Sequence, residues 1–371
     1  MHVGLVIAGD IDDGSGGFYY DRRLRDRLRD RGHEVTVASL SWESYPRQLA
    51  DALRARRIAT QLDAIGADVL VEDGLAHPSL VAVNPRVETP TVALLHMIAS
   101  RARAGLVRYG VRQIERRFLS TVDAAVYNAE ATRRAAEAMG APERSVVAPP
   151  AGDRFSPDVS TAAIRERAAE RPLEITFLGN VVERKGLDAL VEGVSRLDRG
   201  SESGRSDGGG RSDTDGRSVD YRLTVVGDTD RDPAYVDRVR DAAADAGIAG
   251  RIQFTGRLDD DAVADRLRET HVLAVPSRYE PFGMVYLEAM GFGCVPLATT
   301  VGGAAEFVRD GESGFLVAPE DADAIADRLR RLADRERLAE MGTAARQAYE
   351  AWPTWTESMD DAVDFFEEVA R

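Results

Sequence analysis

The chain is poor in thiols and amines. It has one cysteine, Cys294, in 371 residues, which excludes an internal disulfide framework and any cysteine-rich metal site. Of its 48 basic residues all but Lys185 are arginine. Base is also outweighed by acid, 48 residues against 63, for a net charge of −15. That deficit argues against nucleic acid as a partner, because phosphate binding draws on surplus Lys and Arg. No apolar stretch approaches the roughly 20 residues of a membrane-spanning helix. The opening run Met1-His2-Val3-Gly4-Leu5-Val6-Ile7-Ala8 lacks a basic leader and reads as a first strand rather than a signal peptide. The expectation is a soluble, cytoplasmic protein. An acidic surface with arginine as nearly its only cation suggests a salt-rich cytoplasm, where carboxylates stay hydrated and screening mutes self-repulsion.

What is present is a globular composition, 44% apolar and 30% charged, in a chain long enough for two or three domains at roughly 150 residues each. Apolar runs that read as strands recur at 2–8, 34–39, 68–72, 91–96, 123–127 and 145–148. Helical periods lie between them, as at 18–31 and 101–120. Pro149, Pro150, Gly152 and Pro157 break the rhythm, and a polar segment with a short helix follows at 158–172. The alternation then resumes, with strands at 174–178, 221–226, 251–254, 272–275, 295–298 and 315–317. The fold class expected is therefore α/β, with two doubly wound parallel sheets and a ligand cleft between them. The domains would be 1–155, a linker 156–172, 173–350 with a loop insertion at 199–218, and a terminal helix within 351–371 crossing back to the first domain. Trp352 and Trp355 would anchor that helix. Asp213 and Asp215 form a carboxylate pair in the insertion, a poor place to preorganise a metal, so no metal site is expected.

Two segments carry chemistry. In the first, Pro276-Ser277-Arg278-Tyr279-Glu280-Pro281-Phe282-Gly283-Met284-Val285-Tyr286-Leu287-Glu288, a strand ends, the chain turns, and a helix starts near Phe282–Met284. Unpaired first-turn amides there make an anion site, with Glu280 and Glu288 on either side of a bound diphosphate to meet hydroxyl groups. In the second, Gly179-Asn180-Val181-Val182-Glu183-Arg184-Lys185-Gly186, two adjacent cations follow a strand and could neutralise a diphosphate leaving group. His96 and His77 fall at strand ends, and Cys294 reads as a small core residue. Residues 101–117 hold six arginines against Glu115 alone, a charge run that fits either a solvated face or a lipid-phosphate surface.

The Glu280-x7-Glu288 frame resembles the signature of the retaining glycosyltransferases of family 4, which have the GT-B fold. Gly16-Gly17 before a helix, Pro90 to His96, Gly152-Asp153, Val226-Gly227-Asp228, Phe254-Thr255-Gly256 and Gly302-Gly303 are similar to further family patterns, so the resemblance spans nearly the whole chain. It implies a retaining, metal-independent hexosyl transfer from a nucleotide diphosphate sugar, such as a UDP- or GDP-sugar, to a hydroxyl acceptor, glycan or lipid-linked, with no other cofactor. It further implies that Glu280 meets the donor sugar, Glu288 the ribose, and Lys185 the diphosphate, with amides of Met284 and Val285 beside it. Phe282, Gly283, Gly227 and Gly256 would line the donor site, Gly16 and Gly17 would approach the phosphate or acceptor, and His96 would face the donor sugar. The family commonly has Arg after the glycine at 179; here Asn180 stands there, and Arg184 would supply the charge. Alternatives are a sugar-nucleotide epimerase of the same architecture and a non-catalytic sugar-nucleotide binder. An NAD-dependent oxidoreductase is disfavoured, because Gly14-Ser15-Gly16-Gly17-Phe18-Tyr19 lacks the final glycine of the dinucleotide fingerprint.

Overall fold

The structure is a computed structural model that describes residues 1–12, 16–41, 44–103, 105–197 and 218–371. Gly14, Ser15 and residues 199–217 of the expected insertion, including Asp213 and Asp215, lie outside the described residues. The chain forms two compact units, Met1–Ala151 with Pro353–Arg371, and Gly152–Trp352.

The amino-terminal unit holds β1 (His2–Ala8), β2 (Glu34–Leu40), β3 (Val69–Asp73), β4 (Thr91–Leu95), β5 (Ala124–Tyr127) and β6 (Ser145–Val147). They form a parallel sheet in the order β2-β1-β3-β4-β5-β6. The second unit holds β7 (Leu173–Leu178), β8 (Tyr221–Val226), β9 (Ile252–Gly256), β10 (Val272–Ala274), β11 (Val295–Thr299) and β12 (Phe315–Val317). Their order is β12-β11-β10-β7-β8-β9, again parallel. The strands are continuous apolar runs because helices cover both faces of such sheets; Val3, Leu5, Val6 and Ile7 of β1 are all fully buried. In each sheet the strand order reverses beside the first strand, at β1/β3 and at β7/β10. The loops leaving the carboxyl ends of those strands meet at the reversal, where ligands of doubly wound sheets bind.

The helix Trp355–Val369 belongs to the amino-terminal unit. Thr354 and Glu357 close its first turn as a capping box. Arg27, on the helix Gly16–Asp30, and Arg31, just after it, reach its Asp360 and Asp364 at 2.6 Å and its Glu367 at 3.0 Å. Trp355 is buried there with its ring edge-on to Tyr19 and Tyr20. Trp352 does not share that role. It lies one residue before Pro353, on the other unit, and packs against Phe282 and Phe307.

Two local expectations change. The helix read at 101–120 is a 3-10 turn, Ala99–Ala102, followed by a helix, Gly105–Leu119; Gly105 at φ +56° takes the left-handed conformation that interrupts it. His77 stands four residues beyond β3, opening the short helix His77–Leu80.

Gly227 shows how tightly the strand ends of the second sheet approach. Its φ is +152°, and a Cβ there would collide with the Gly179 carbonyl. Gly227→Ala is therefore expected to lower stability by ~2 kcal/mol or more. Gly250→Ala, whose Cβ would meet nothing within 4 Å, should stay within ~0.5 kcal/mol of the parent in chemical denaturation.

Candidate active site

In the carboxy-terminal unit the chain leaves β7 through Gly179 and Asn180, makes a 3-10 turn at Glu183–Lys185, and enters the helix Leu187–Ser195 through Gly186. Gly186 is left-handed at φ +70°, and a Cβ on it would run into the Pro276 carbonyl. The loop after β7 is thereby pressed against the loop after β10. Lys185 Nζ donates to Glu280 Oε2 at 2.5 Å, and Ser277 Oγ donates to the same oxygen at 3.2 Å. Arg184 Nη1 lies 3.7 Å from that oxygen and donates to the Tyr279 carbonyl at 2.8 Å. Burial alone would raise the Glu280 carboxyl. The charges of Lys185 and Arg184, with the hydrogen bonds from Lys185 and Ser277, outweigh it and hold the group below the usual carboxylate range.

The helix Met284–Gly291 starts immediately after this loop, at a left-handed Gly283. The amides of Met284 and Val285 have no partner inside the helix and carry the positive end of its dipole. Phe282 faces the other way, its ring packed on Phe307 at 5.2 Å between centroids, so only its backbone is left to face a ligand. Glu288, one turn in, is buried with Arg154 at 3.9 Å, and Asp260 bears on it as a like charge. Burial pushes its carboxyl up to about 7, against the opposing pull of Arg154.

The expected glycines stitch the neighbouring strand ends together. Gly179 N–H donates to the Val226 carbonyl, Val181 N–H to Asp228, and Gly227 N–H to Gly256, each at 2.9 Å. Asn180 is exposed on this rim. Lys185, Arg184 and Glu280 thus form one cluster, whereas the charged neighbours of Glu288 are Arg154 and Asp260.

His96, Gly16 and Gly17 belong to the amino-terminal unit. His96 follows β4, and its Nε2 is 2.8 Å from Asp21 Oδ1 on the helix Gly16–Asp30. Gly17, one turn before Asp21, begins that helix against the imidazole: a Cβ on Gly17 would lie 3.4 Å from His96 Cδ2. Burial pulls the imidazole pKa down, but Asp21, by charge and hydrogen bond, and Asp73 more than offset it, and the net shift is upward. Asp73, at the end of β3, is itself pushed up to about 7 by burial and by Asp21. Asp21 and Asp73 escaped sequence reasoning, as did Ser277 and Arg154. The one usable signal was Asp21 four residues after Gly17, on the same helix face.

His77 is a core residue: Nδ1 bonds the Gly74 carbonyl at 2.8 Å, Nε2 meets Tyr45 Oη at 2.9 Å, and burial lowers it to about 4. Cys294 is fully buried and its thiol is pushed up to about 11, which leaves it protonated and inert. Among the described residues no group of three or more His, Cys, Asp or Glu side chains is arranged to hold a metal ion.

Two doubly wound parallel sheets of this kind are the GT-B architecture of glycosyltransferases. Residues 160–348 match the family described as glycosyl transferases group 1, and the chain belongs to that family. It is 31% identical to the GDP-mannose-dependent alpha-(1-6)-phosphatidylinositol monomannoside mannosyltransferase of Mycobacterium tuberculosis, over 97% of both chains. It is 30% identical to the D-inositol 3-phosphate glycosyltransferase of Nocardia farcinica, over 99% of this chain and 87% of that one. Among solved structures, sucrose-phosphate synthase from Thermosynechococcus elongatus matches with a TM-score of 0.80 at 19% identity, covering 99% of this chain and 98% of that one. Anabaena Alr3699/HepE, solved with UDP-glucose, matches at 0.75 and 16% identity, covering 99% and 100%. Both are likenesses of fold.

The charge states give two tests. Glu288 has a folded value of about 7 against an ordinary 4.5, so the folded state keeps a proton the unfolded chain has lost, and stability falls as pH rises through that window. Glu288→Gln removes the fall: the variant should gain on the wild type by ~1–3 kcal/mol between about pH 5 and about pH 8, read from denaturation midpoints. For His96 the sign of the protein's contribution is that of a raised base. The stability its pairing supplies is complete below the ordinary imidazole value and is lost as pH rises through the elevated folded value. Asp21→Asn should move the His96 titration midpoint downward in ¹H–¹⁵N spectra.

Proposed function

We propose that the protein transfers a hexosyl group from a nucleotide diphosphate sugar to a hydroxyl acceptor, with retention at the anomeric carbon and without a metal ion. One arrangement carries the reading: the Lys185 ammonium and Arg184 guanidinium beside buried Glu280, next to the open helix end at Met284 and Val285. When the bond between sugar and diphosphate breaks, negative charge grows on the departing phosphate oxygens. Lys185 directs one of its three protons to Glu280 and has the others for those oxygens, and the helix-tip amides add fixed dipoles. Protein cations thereby do what Mg²⁺ does in other transferases. Glu280, held ionised, accepts hydrogen bonds from sugar hydroxyls, and Glu288 suits the ribose hydroxyls.

In this scheme the acceptor oxygen bonds to the anomeric carbon on the face the diphosphate leaves, and the acceptor proton passes to the departing phosphate. Gly16 and Gly17 let backbone approach phosphate or acceptor, and His96, paired with Asp21, presents a cation or donor toward the sugar. Asn180, Gly227 and Gly256 supply backbone at the rim. The relatives named for GDP-mannose and for inositol phosphate make GDP-mannose the first donor to try, with inositol-containing acceptors, free or lipid-linked.

Lys185→Ala and Glu280→Ala should each slow transfer at least about tenfold, ~1.4 kcal/mol in barrier, with thermal melts confirming a folded chain. The assay follows product by mass spectrometry from GDP-mannose and from UDP-glucose in parallel. Wild-type rates in both variants would overturn the assignment of the site. An inverted anomer by NMR would remove retention, and loss of activity on chelation would remove metal independence.

A further inference from the structure

The helix Gly105–Leu119 and the 3-10 turn before it carry a second feature that the transfer reading does not use. Arg101, Arg103, Arg108, Arg112, Arg116 and Arg117 are all exposed, and among the described residues no carboxylate lies within ion-pair distance of any of them. Some other arginines of the same unit are matched, Arg27 and Arg31 with Asp360 and Asp364, and Arg133 and Arg134 with Glu130. The one acid of the segment, Glu115, is turned inward, where it accepts from the amides of Ala99 and Ser100 at 2.5 and 3.1 Å. The charged side chains of the outer face are therefore all cationic, on a chain of net charge −15.

The same helix opens with large apolar side chains in water: Leu106 is 91% exposed, Val107 62% and Tyr109 66%. Of the four large hydrophobic residues that are exposed among the described ones, three are these; the fourth is Leu53 at 90%. Leu106 and Tyr109 are three apart, on the face that continues into Arg112, Arg116 and Arg117. Val111 and Phe118, on the opposite face, are buried.

We propose that this face docks on the surface of an anionic phospholipid bilayer. Leu106 and Tyr109 enter the headgroup–acyl boundary, and the arginines meet lipid phosphates. The combination selects that occupant. A soluble polyanion would use the arginines but gain nothing from an apolar turn, whereas an apolar protein groove would gain nothing from six unmatched guanidinium groups. The rest of the chain, though acidic, does not prevent approach, because its charge is screened beyond roughly 8 Å at physiological salt. The inference is independent of the transfer reading, since binding is measured without turnover.

The test is flotation of the full chain with vesicles of phosphatidylcholine alone and of equal parts phosphatidylcholine and phosphatidylglycerol. At least about tenfold more protein should float with the anionic vesicles. Both Leu106→Ser/Tyr109→Ser and Arg108→Glu/Arg112→Glu/Arg116→Glu should lose that excess, while Leu53→Ser keeps it; all these side chains are exposed, and melting curves check the fold. Equal flotation with both lipids, no flotation, or an excess that survives the arginine reversals would overturn the proposal. So would heparin binding that depends on the arginines in a protein that does not float.

Discussion

A buried ion pair holds the carboxy-terminal site together. Removing an ammonium and a carboxylate from water costs several kcal/mol per ion, and attraction offsets that only where geometry is close and the remaining lone pairs are used. Here Glu280 Oε2 receives both Lys185 and Ser277, and Arg184 stands 3.7 Å away. The two halves of the pair come from loops after β7 and β10, neighbours only because the strand order reverses between them. Backbone also meets backbone there: Gly186 faces the Pro276 carbonyl, and Gly302, in the loop after β11, faces the Glu280 carbonyl.

The strands were legible because of that architecture. A parallel strand covered by helices on both faces is a continuous apolar run, and β1 and β4 read so without ambiguity. Shorter pieces were not. The turns Tyr45–Leu49 and Ala50–Arg54 span five residues each, too few for a helical period to declare itself. The break at Gly105 was hidden for a different reason: a glycine costs a helix only about 1 kcal/mol, so sequence alone does not say whether it bends the chain. Trp352 and Trp355 read alike as anchors of one helix, yet Pro353 between them marks the boundary of the two units.

The site was legible where chemistry was conspicuous and silent where topology made the contact. Lys185 stood out as the only amine side chain, and Glu280 and Glu288 by their spacing around a helix start. Asp21 and His96 are 75 residues apart and meet through the placement of β4 and the helix after β1, which no local pattern encodes. Charge state was beyond the sequence altogether. Glu280 and Glu288 are the same residue type in the same segment, both buried. One is held ionised by Lys185 and Arg184, while the other, with Arg154 more distant and Asp260 opposing, is pushed up to about 7.

Net charge and local charge pull in opposite directions in this molecule, and distance decides between them. Any anion approaching a chain of −15 is repelled while it is far away, but that repulsion is what salt screens best. The Lys185–Glu280 pair acts over a hydrogen-bond length with both partners largely out of solvent, so added ions weaken it far less. The arginines of the helix Gly105–Leu119 face water on all but their own stems, and their attraction to an anionic surface falls as salt rises. The two cationic features of one acidic chain thus differ in how strongly ionic strength acts on them, because one is buried against a carboxylate and the other is exposed.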